Sequence, residues 1–141
     1  MELLKSKDLS HTVILDGAHN EQGVGALVTA LSCLIADGAI CRVAGIVFAV
    51  MKDKAVSEML NRLKTLDCPI CLTQLPEERS MSSDELGRLA CTLDLQVAGV
   101  FEDPKDAFNA ACIAAKPDEV VLCCGSLHLV GFLRRIFAEN D

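Results

Sequence analysis

The chain has 141 residues, which is enough for one domain with a proper hydrophobic core. Hydrophobic residues make up 51% of it and charged residues 23%, a composition typical of globular and not of disordered proteins. The net charge of −7 and the lack of a Lys/Arg-rich run argue against nucleic-acid binding. The longest apolar run, 43–51, is too short to cross a bilayer, so no membrane partner is expected.

The cysteines and the N-terminus indicate a reducing compartment. Most of the eight cysteines sit inside apolar helix or strand patterns, where a reduced cysteine behaves as a small hydrophobe. With no signal segment at the N-terminus, we predict a cytoplasmic location. Cys68 and Cys71 have the spacing of a redox pair, but they lead into a strand, so accidental spacing is favoured over a small redox protein. Zinc would need a second ligand pair, and we expect no metal site.

The first half of the chain predicts two strands, each followed by a helix. Residues 13–15 are a short buried strand, and 21–36 is a helix with one apolar face. The almost wholly apolar run 43–50 is typical of a central parallel strand covered on both faces. A second helix follows and runs to about Leu66, with Asp53 as its expected N-cap.

The second half of the chain repeats this alternation. Three more strands are predicted, over residues 69–75, 96–101 and 120–124. Ser82 and Glu85 form a capping box that opens a helix. Asp103 is the expected N-cap of the next helix, with Pro104 in its first turn, and the last helix follows Gly125.

This order predicts an α/β fold: a three-layer, Rossmann-like domain with a mostly parallel sheet of five to six strands and helices on both faces. Residues 1–10 fit no element clearly and are interpreted as a junction remnant, which leaves 11–141 as the domain. Ligands of such sheets bind beyond the carboxyl ends of the strands. Three loops qualify by position: residues 16–20, 51–54 and 125–126.

The first of these loops is the most informative segment. It places the carboxylate of Asp16, the imidazole of His19 and the amide of Asn20 between a buried strand and a helix N-terminus. A carboxylate there can accept both hydroxyls of a ribose, and the helix amides favour an anionic group. The alternative is a decorated turn, in which Gly17 supplies the geometry and Asn20 the N-cap. Spacing alone slightly favours the turn.

The segment Ile14-Leu15-Asp16-Gly17-Ala18-His19-Asn20 resembles the signature in the C-terminal domain of folylpolyglutamate and dihydrofolate synthases, members of the Mur ligase superfamily. Four further segments are similar to motifs of that family, in the same order and at suitable spacing: residues 45–54, 79–82, 100–107 and 125–131. Each is weak alone, and the ordered set carries the resemblance over nearly the whole chain.

The resemblance implies a part of an ATP-dependent ligase that joins glutamate to folate through an acyl phosphate. ATP and Mg²⁺ are the implied cofactors, and ATP, L-glutamate and folate the implied partners. The implied nucleotide-binding residues are Asp16, His19 and Asn20, and the implied glutamate-binding residues are His19, Ser126 and Lys52. Lys54 and Arg79 are implied contacts to phosphate or carboxylate, with plain surface solvation an equal alternative.

One part of the implied ligase is not in this sequence. No Gly-x-x-x-x-Gly-Lys-Ser/Thr loop occurs, so the chain lacks a phosphate cradle. In the family, that loop and the magnesium ligands belong to an N-terminal ATPase domain. We therefore predict no self-contained catalytic set and no glutamyl ligation by the chain alone.

The sequence also departs from the family pattern at Glu21, Ala55 and the pair Leu127-His128, which puts substrate preference and activity in question. The alternative to a ligase domain is a free-standing, noncatalytic module that binds a nucleotide or a partner protein on the same fold. Whether dihydrofolate synthase activity accompanies the ligase is left open by these residues.

Overall fold

The structure is a computed structural model that describes residues 1–5 and 11–140. The described strands are β1 (Glu2–Leu4), β2 (Thr12–Leu15), β3 (Val43–Phe48), β4 (Ile70–Leu72), β5 (Val97–Val100) and β6 (Val120–Cys124). The described helices are α1 (Glu21–Ala36), α2 (Val56–Lys64), α3 (Ser83–Thr92), α4 (Pro104–Ala114) and α5 (Leu127–Asn140).

All six strands belong to one sheet in the order β1-β2-β6-β3-β4-β5. Strand β1 is antiparallel to β2, and every other neighbouring pair is parallel. The predicted mostly parallel α/β fold is therefore confirmed. The central strands of the sheet are apolar because helices cover them on both faces, which leaves no side of these strands in contact with water.

Helices cover both faces of the sheet. Apolar residues of α1, α2 and α3 pack on one face, around Phe48, Leu122 and Ile14. Those of α4 and α5 pack on the other face, around Val47 and Val121. This is the three-layer arrangement expected from the sequence. No helix in the two described ranges has both the length and the apolar character needed for a membrane crossing.

Three of the predicted helix starts are confirmed by their hydrogen bonds. The Asn20 side chain accepts a bond from the backbone N–H of Gly23 at the start of α1. Ser82 caps α3 by accepting from Glu85 N–H, and Asp103 caps α4 by accepting from Lys105 N–H. Each bond satisfies a backbone donor that the first turn leaves without a helical partner.

Two predictions were wrong. Residues 2–4 are not outside the fold, because they form β1, with Leu3 opposite Ile14 and the Glu2 carboxylate paired with Arg134 of α5. Residues 6–10 of the predicted junction lie outside the described part. Asp53 is not the N-cap of α2: the chain makes one more turn, and Ala55 occupies that position without a side-chain bond.

Candidate functional site

The order in which the chain visits the strands reverses near the centre of the sheet, although the strands there are parallel. Strand β6 lies between β2 and β3, yet the helix that follows it, α5, packs on the face opposite α1 and α2. Adjacent strands whose helices leave toward opposite faces open a crevice at their carboxyl ends, and this is where ligands of open α/β sheets bind. The three loops named from the sequence follow these three strands.

Backbone contacts hold the loops after β2 and β6 together. Gly125 N–H donates to the carbonyl of Ala18 at 2.9 Å. A Cβ on Gly125 would lie 2.2 Å from the carbonyl oxygen of Ala49, and the residue has φ +108°. A side chain is therefore excluded at this point. Gly17 is equally close to α5, since a Cβ there would lie 2.3 Å from Leu127 Cδ2.

A cleft open to solvent lies where these loops meet. Its empty volume is about 460 Å³, and its lining comprises His19, Met51, Asp53, Lys54, Arg79, Gly125, Ser126, Leu127 and His128. The described lining contains one lysine, one arginine and two histidines but a single acidic residue. The cleft is thus locally basic in a chain of net charge −7, which favours an anionic ligand.

The first turn of α5 forms one wall of the cleft. Ser126 is 2% exposed, and its Oγ accepts a hydrogen bond from the backbone N–H of His128 at 3.1 Å. Ser126 therefore serves as the helix cap, and its hydroxyl keeps a proton to donate. The positive end of the helix dipole points to the same place, which adds to the preference for anions.

His19 forms another wall, with its ring fixed by its own loop. Its Nδ1 lies 2.9 Å from the carbonyl oxygen of Gly17. Because a carbonyl oxygen only accepts, Nδ1 must carry the proton, and Nε2 of the neutral ring is left as an acceptor.

Arg79 reaches the cleft because the loop after β3 pairs with the loop before α3. Met51 and Ser80 form an antiparallel bridge, and Lys52 N–H donates to the Arg79 carbonyl at 2.8 Å. The Lys54 ammonium lies 4.0 Å from an Asp53 carboxylate oxygen. Two cations that the sequence left equally open to surface solvation thus line one cleft.

Three predicted site residues do not line the cleft. Asp16 Oδ1 accepts from Ala18 N–H at 2.8 Å, and its Oδ2 lies 3.2 Å from the Met1 amino nitrogen. Asn20 caps α1, as the decorated-turn interpretation expects. Lys52 is exposed. Roles for these residues in nucleotide or glutamate binding remain predictions.

Sequence reasoning missed one contact of the site. His128 Nδ1 lies 2.9 Å from Glu77 Oε1, so the first turn of α5 is joined to the loop between β4 and α3. The sequence placed His128 in the 125–131 segment, as a departure from the family pattern and as an ordinary loop or helix-face residue rather than half of a catalytic pair with His11, and it gave no role to Glu77. No local motif marks such a pair, because the two residues are brought together only by the order of the strands.

The geometry disfavours the redox pair. Cys68 and Cys71 are buried, and burial raises the pKa of Cys68 to about 11 and also raises the pKa of Cys71. A redox-active thiol requires the opposite shift. In the described residues no three histidine, cysteine or acidic side chains are grouped to hold a metal ion.

Comparison with known proteins adds a family to this geometry. The model of the family described as Mur ligase, glutamate ligase domain, matches residues 1–127. A curated relative, the dihydrofolate synthase/folylpolyglutamate synthase of Bacillus subtilis, is 29% identical over 123 residues, which cover 87% of this chain and 27% of the relative.

Solved structures agree with that match. The folylpolyglutamate synthase of Mycobacterium tuberculosis complexed with ADP and AMPPCP has a TM-score of 0.79 and 26% identity, over 96% of this chain and 31% of that one. A bifunctional folylpolyglutamate synthase/dihydrofolate synthase with Mn, AMPPNP and L-glutamate bound has a TM-score of 0.77 and 25% identity, over 95% and 30%. The chain thus spans less than a third of the length of these relatives.

Proposed function

Since this chain belongs to the Mur ligase, glutamate ligase domain family, we propose that it is the glutamate-binding part of an ATP-dependent ligase that adds glutamate to folate. The main support for this proposal is the basic cleft at the carboxyl ends of β2, β6 and β3. It brings His19, Ser126, Lys54 and Arg79 together from four separate loops. One relative of similar fold was solved with L-glutamate and a nucleotide bound, which supports this choice of ligands.

L-Glutamate has two carboxylates and one ammonium group, and the cleft offers cations and hydrogen-bond donors for the carboxylates and an imidazole acceptor for the ammonium group. We assign one carboxylate to the Ser126 hydroxyl and the amides of the first turn of α5, where the helix dipole favours an anion. Lys54 and Arg79 neutralise the other carboxylate or a phosphate. His19 Nε2, an acceptor in the neutral ring, faces the region between nucleotide and amino acid.

The nucleotide would contact the loop after β2. Asp16 uses one lone pair of Oδ1 for the Ala18 N–H and one of Oδ2 for the Met1 amino group, so the remaining lone pairs of its carboxylate can accept from ribose hydroxyls. Asn20 has its carbonyl oxygen engaged as a cap and keeps its NH₂ donors. Lys52, exposed beside the cleft, would act through its charge alone.

The reaction class is amide formation through an acyl phosphate. The folate carboxylate attacks the γ-phosphorus of ATP and releases ADP, and the amine of glutamate then attacks the acyl carbon and releases phosphate. Such chemistry depends on positioning and on neutralising charge. The part of the reaction that needs a phosphate cradle and Mg²⁺ ligands is assigned to a separate ATPase domain of the same native polypeptide.

Titration of the ¹⁵N-labelled chain with L-glutamate, with and without MgADP, tests the proposal by NMR. We expect saturable shifts of amides in residues 17–19, 51–54 and 125–128. Lys54→Ala and Arg79→Ala should each weaken L-glutamate binding about tenfold, the loss of roughly 1.4 kcal/mol. Lys105→Ala in α4 and Arg88→Ala in α3 change exposed cations away from the cleft; they are the matched controls and should bind as the parent does. An absence of saturable shifts at millimolar L-glutamate would refute the proposal.

A second experiment separates the ligase domain from a free-standing module. An antibody to this domain should detect a native polypeptide about three times as long, since the chain covers 27% and 31% of its relatives. The purified chain with MgATP, folate and labelled glutamate should form no glutamyl amide. A native band at 15.1 kDa would instead favour the noncatalytic module.

A further inference from the structure

Two imidazoles line the cleft, and both have the same nitrogen occupied. Nδ1 of His19 is held by the Gly17 carbonyl, and Nδ1 of His128 is held by the Glu77 carboxylate, each at 2.9 Å. In both rings the acceptor fixes the proton on Nδ1 and leaves Nε2 unprotonated in the neutral form. Only His128 has a charged partner.

Glu77 is placed for this contact by a short, well-fixed turn. Its N–H donates to the Leu75 carbonyl at 2.7 Å, and its carbonyl accepts from Ser80 N–H at 3.1 Å. Ser80 is buried, and its Oγ accepts from Leu75 N–H at 3.0 Å. The turn is therefore closed on itself, and it holds the Glu77 carboxylate against the first turn of α5.

We propose that His128 is a further ligand-contacting residue of the cleft and that Glu77 is its positioning residue. Nε2 of His128 holds the amino group of the incoming amino acid and takes a proton from it. The inference rests on the proposed function, because the ligand it invokes is the glutamate assigned to this cleft. The His128 side chain is 53% exposed, so a ligand in the cleft can reach it.

The amino group needs such a partner because it arrives as an ammonium ion, which has no lone pair to attack with. Transfer of one proton to Nε2 leaves a neutral amine, which forms the C–N bond as the C–O bond to phosphate breaks. The second proton lost from nitrogen leaves with the phosphate as HPO₄²⁻. His128 then returns its proton to water.

The carboxylate partner is the reason for choosing His128 over His19. When Nε2 takes a proton, the ring becomes an imidazolium, and a carboxylate on Nδ1 both orients the ring and stabilises that charge. The carbonyl that holds His19 orients its ring with much less stabilisation. Lys54 and Arg79, the other basic groups of the lining, repel an ammonium and suit the carboxylates instead.

The test compares three ligands that share their carboxylates and differ at the amino group: L-glutamate, N-acetyl-L-glutamate and glutarate. The ring nitrogens of the ¹⁵N-histidine-labelled chain report the tautomer of His128 directly. L-glutamate should shift the Nε2 signal of His128, and the other two ligands should leave it unchanged. The parent chain should bind L-glutamate about tenfold more tightly than glutarate.

Two variants separate the roles of the pair. His128→Asn keeps a donor near the position of Nδ1 but removes Nε2, so the preference for L-glutamate over glutarate should disappear while glutarate affinity stays the same. Glu77→Gln keeps the shape and removes the charge, so both tautomers of His128 should be seen and the preference should fall. Glu78→Gln, a change at the neighbouring exposed glutamate, should alter neither signal nor preference.

The results distinguish this inference from the proposed function. Saturable L-glutamate binding with an unmoved His128 Nε2 signal, and no preference over glutarate, would overturn the role of His128 and leave the glutamate cleft standing. Failure of L-glutamate to bind at all would overturn both.

Discussion

Replacement of Gly125 by alanine should destabilise the domain by roughly 2–6 kcal/mol. Two costs add at this position. A residue with φ +108° lies in backbone space that only glycine adopts readily, at a cost of about 1–3 kcal/mol for another residue. The new Cβ would also lie 2.2 Å from the Ala49 carbonyl oxygen and 2.9 Å from the Phe48 ring. Because Ala49 directly follows β3, relief requires the centre of the sheet to move, at about 1–3 kcal/mol.

Urea unfolding of three glycine variants separates these costs. Gly38→Ala has a positive φ of +77° and nothing within 4 Å of the added Cβ, so it should lose only the backbone term, about 1 kcal/mol. Gly131→Ala lies within α5 with open space around it and should gain about 0.5–1 kcal/mol. If Gly125→Ala lost no more stability than Gly38→Ala, the argument from close approach would be refuted.

Three further predictions follow from other parts of the fold. Alkylation of the folded chain at pH 8 should spare Cys68 and Cys112, because burial raises their pKa values to about 11 and 12. Mass spectrometry that detected rapid alkylation of either cysteine would contradict this. Burial lowers the pKa of His11 below 6.5, so near that pH the unfolded chain binds more protons than the folded chain does. The free energy of unfolding should therefore fall as pH drops through 6.5, and His11 should contribute at most about 1.4 kcal/mol per pH unit to that fall. If the His11→Asn variant showed the same dependence of unfolding free energy on pH between 7.5 and 5.5, that contribution would be excluded. Asp103→Ala should lose about 1 kcal/mol in urea unfolding, because it removes the cap of α4, whereas an equal loss in the control Asn109→Ala would argue against a capping effect.

The sequence was sufficient where structure depends on local patterns. The continuous apolar run that became β3 and the caps at Ser82 and Asp103 all act within a few residues. Strand β1 was missed because a three-residue edge strand carries no such pattern, and its place is set by pairing with β2. The prediction of Asp53 as the N-cap of α2 was wrong because the geometry of the preceding loop decides where the helix begins.

The candidate site shows the same difference between features set by local sequence and features set by long-range contacts. The loops were found because every parallel strand delivers its carboxyl end to one edge of the sheet. The position of Arg79 in the cleft depends on pairing between Met51 and Ser80, and Glu77 depends on a contact with α5. These are long-range consequences of strand order, which the sequence alone did not supply.

The central place of β6 has a consequence for how the chain is made. Residues 120–124 pair with both β2 and β3, so a nascent chain on the ribosome cannot close this sheet until residues 120–124 have been synthesised. Until then β2 and β3 each present an unpaired, apolar edge, the kind of surface that templates aggregation. Pairing so distant in sequence is also slow. We expect synthesis that stalls before residue 120 to yield a product that depends on chaperones.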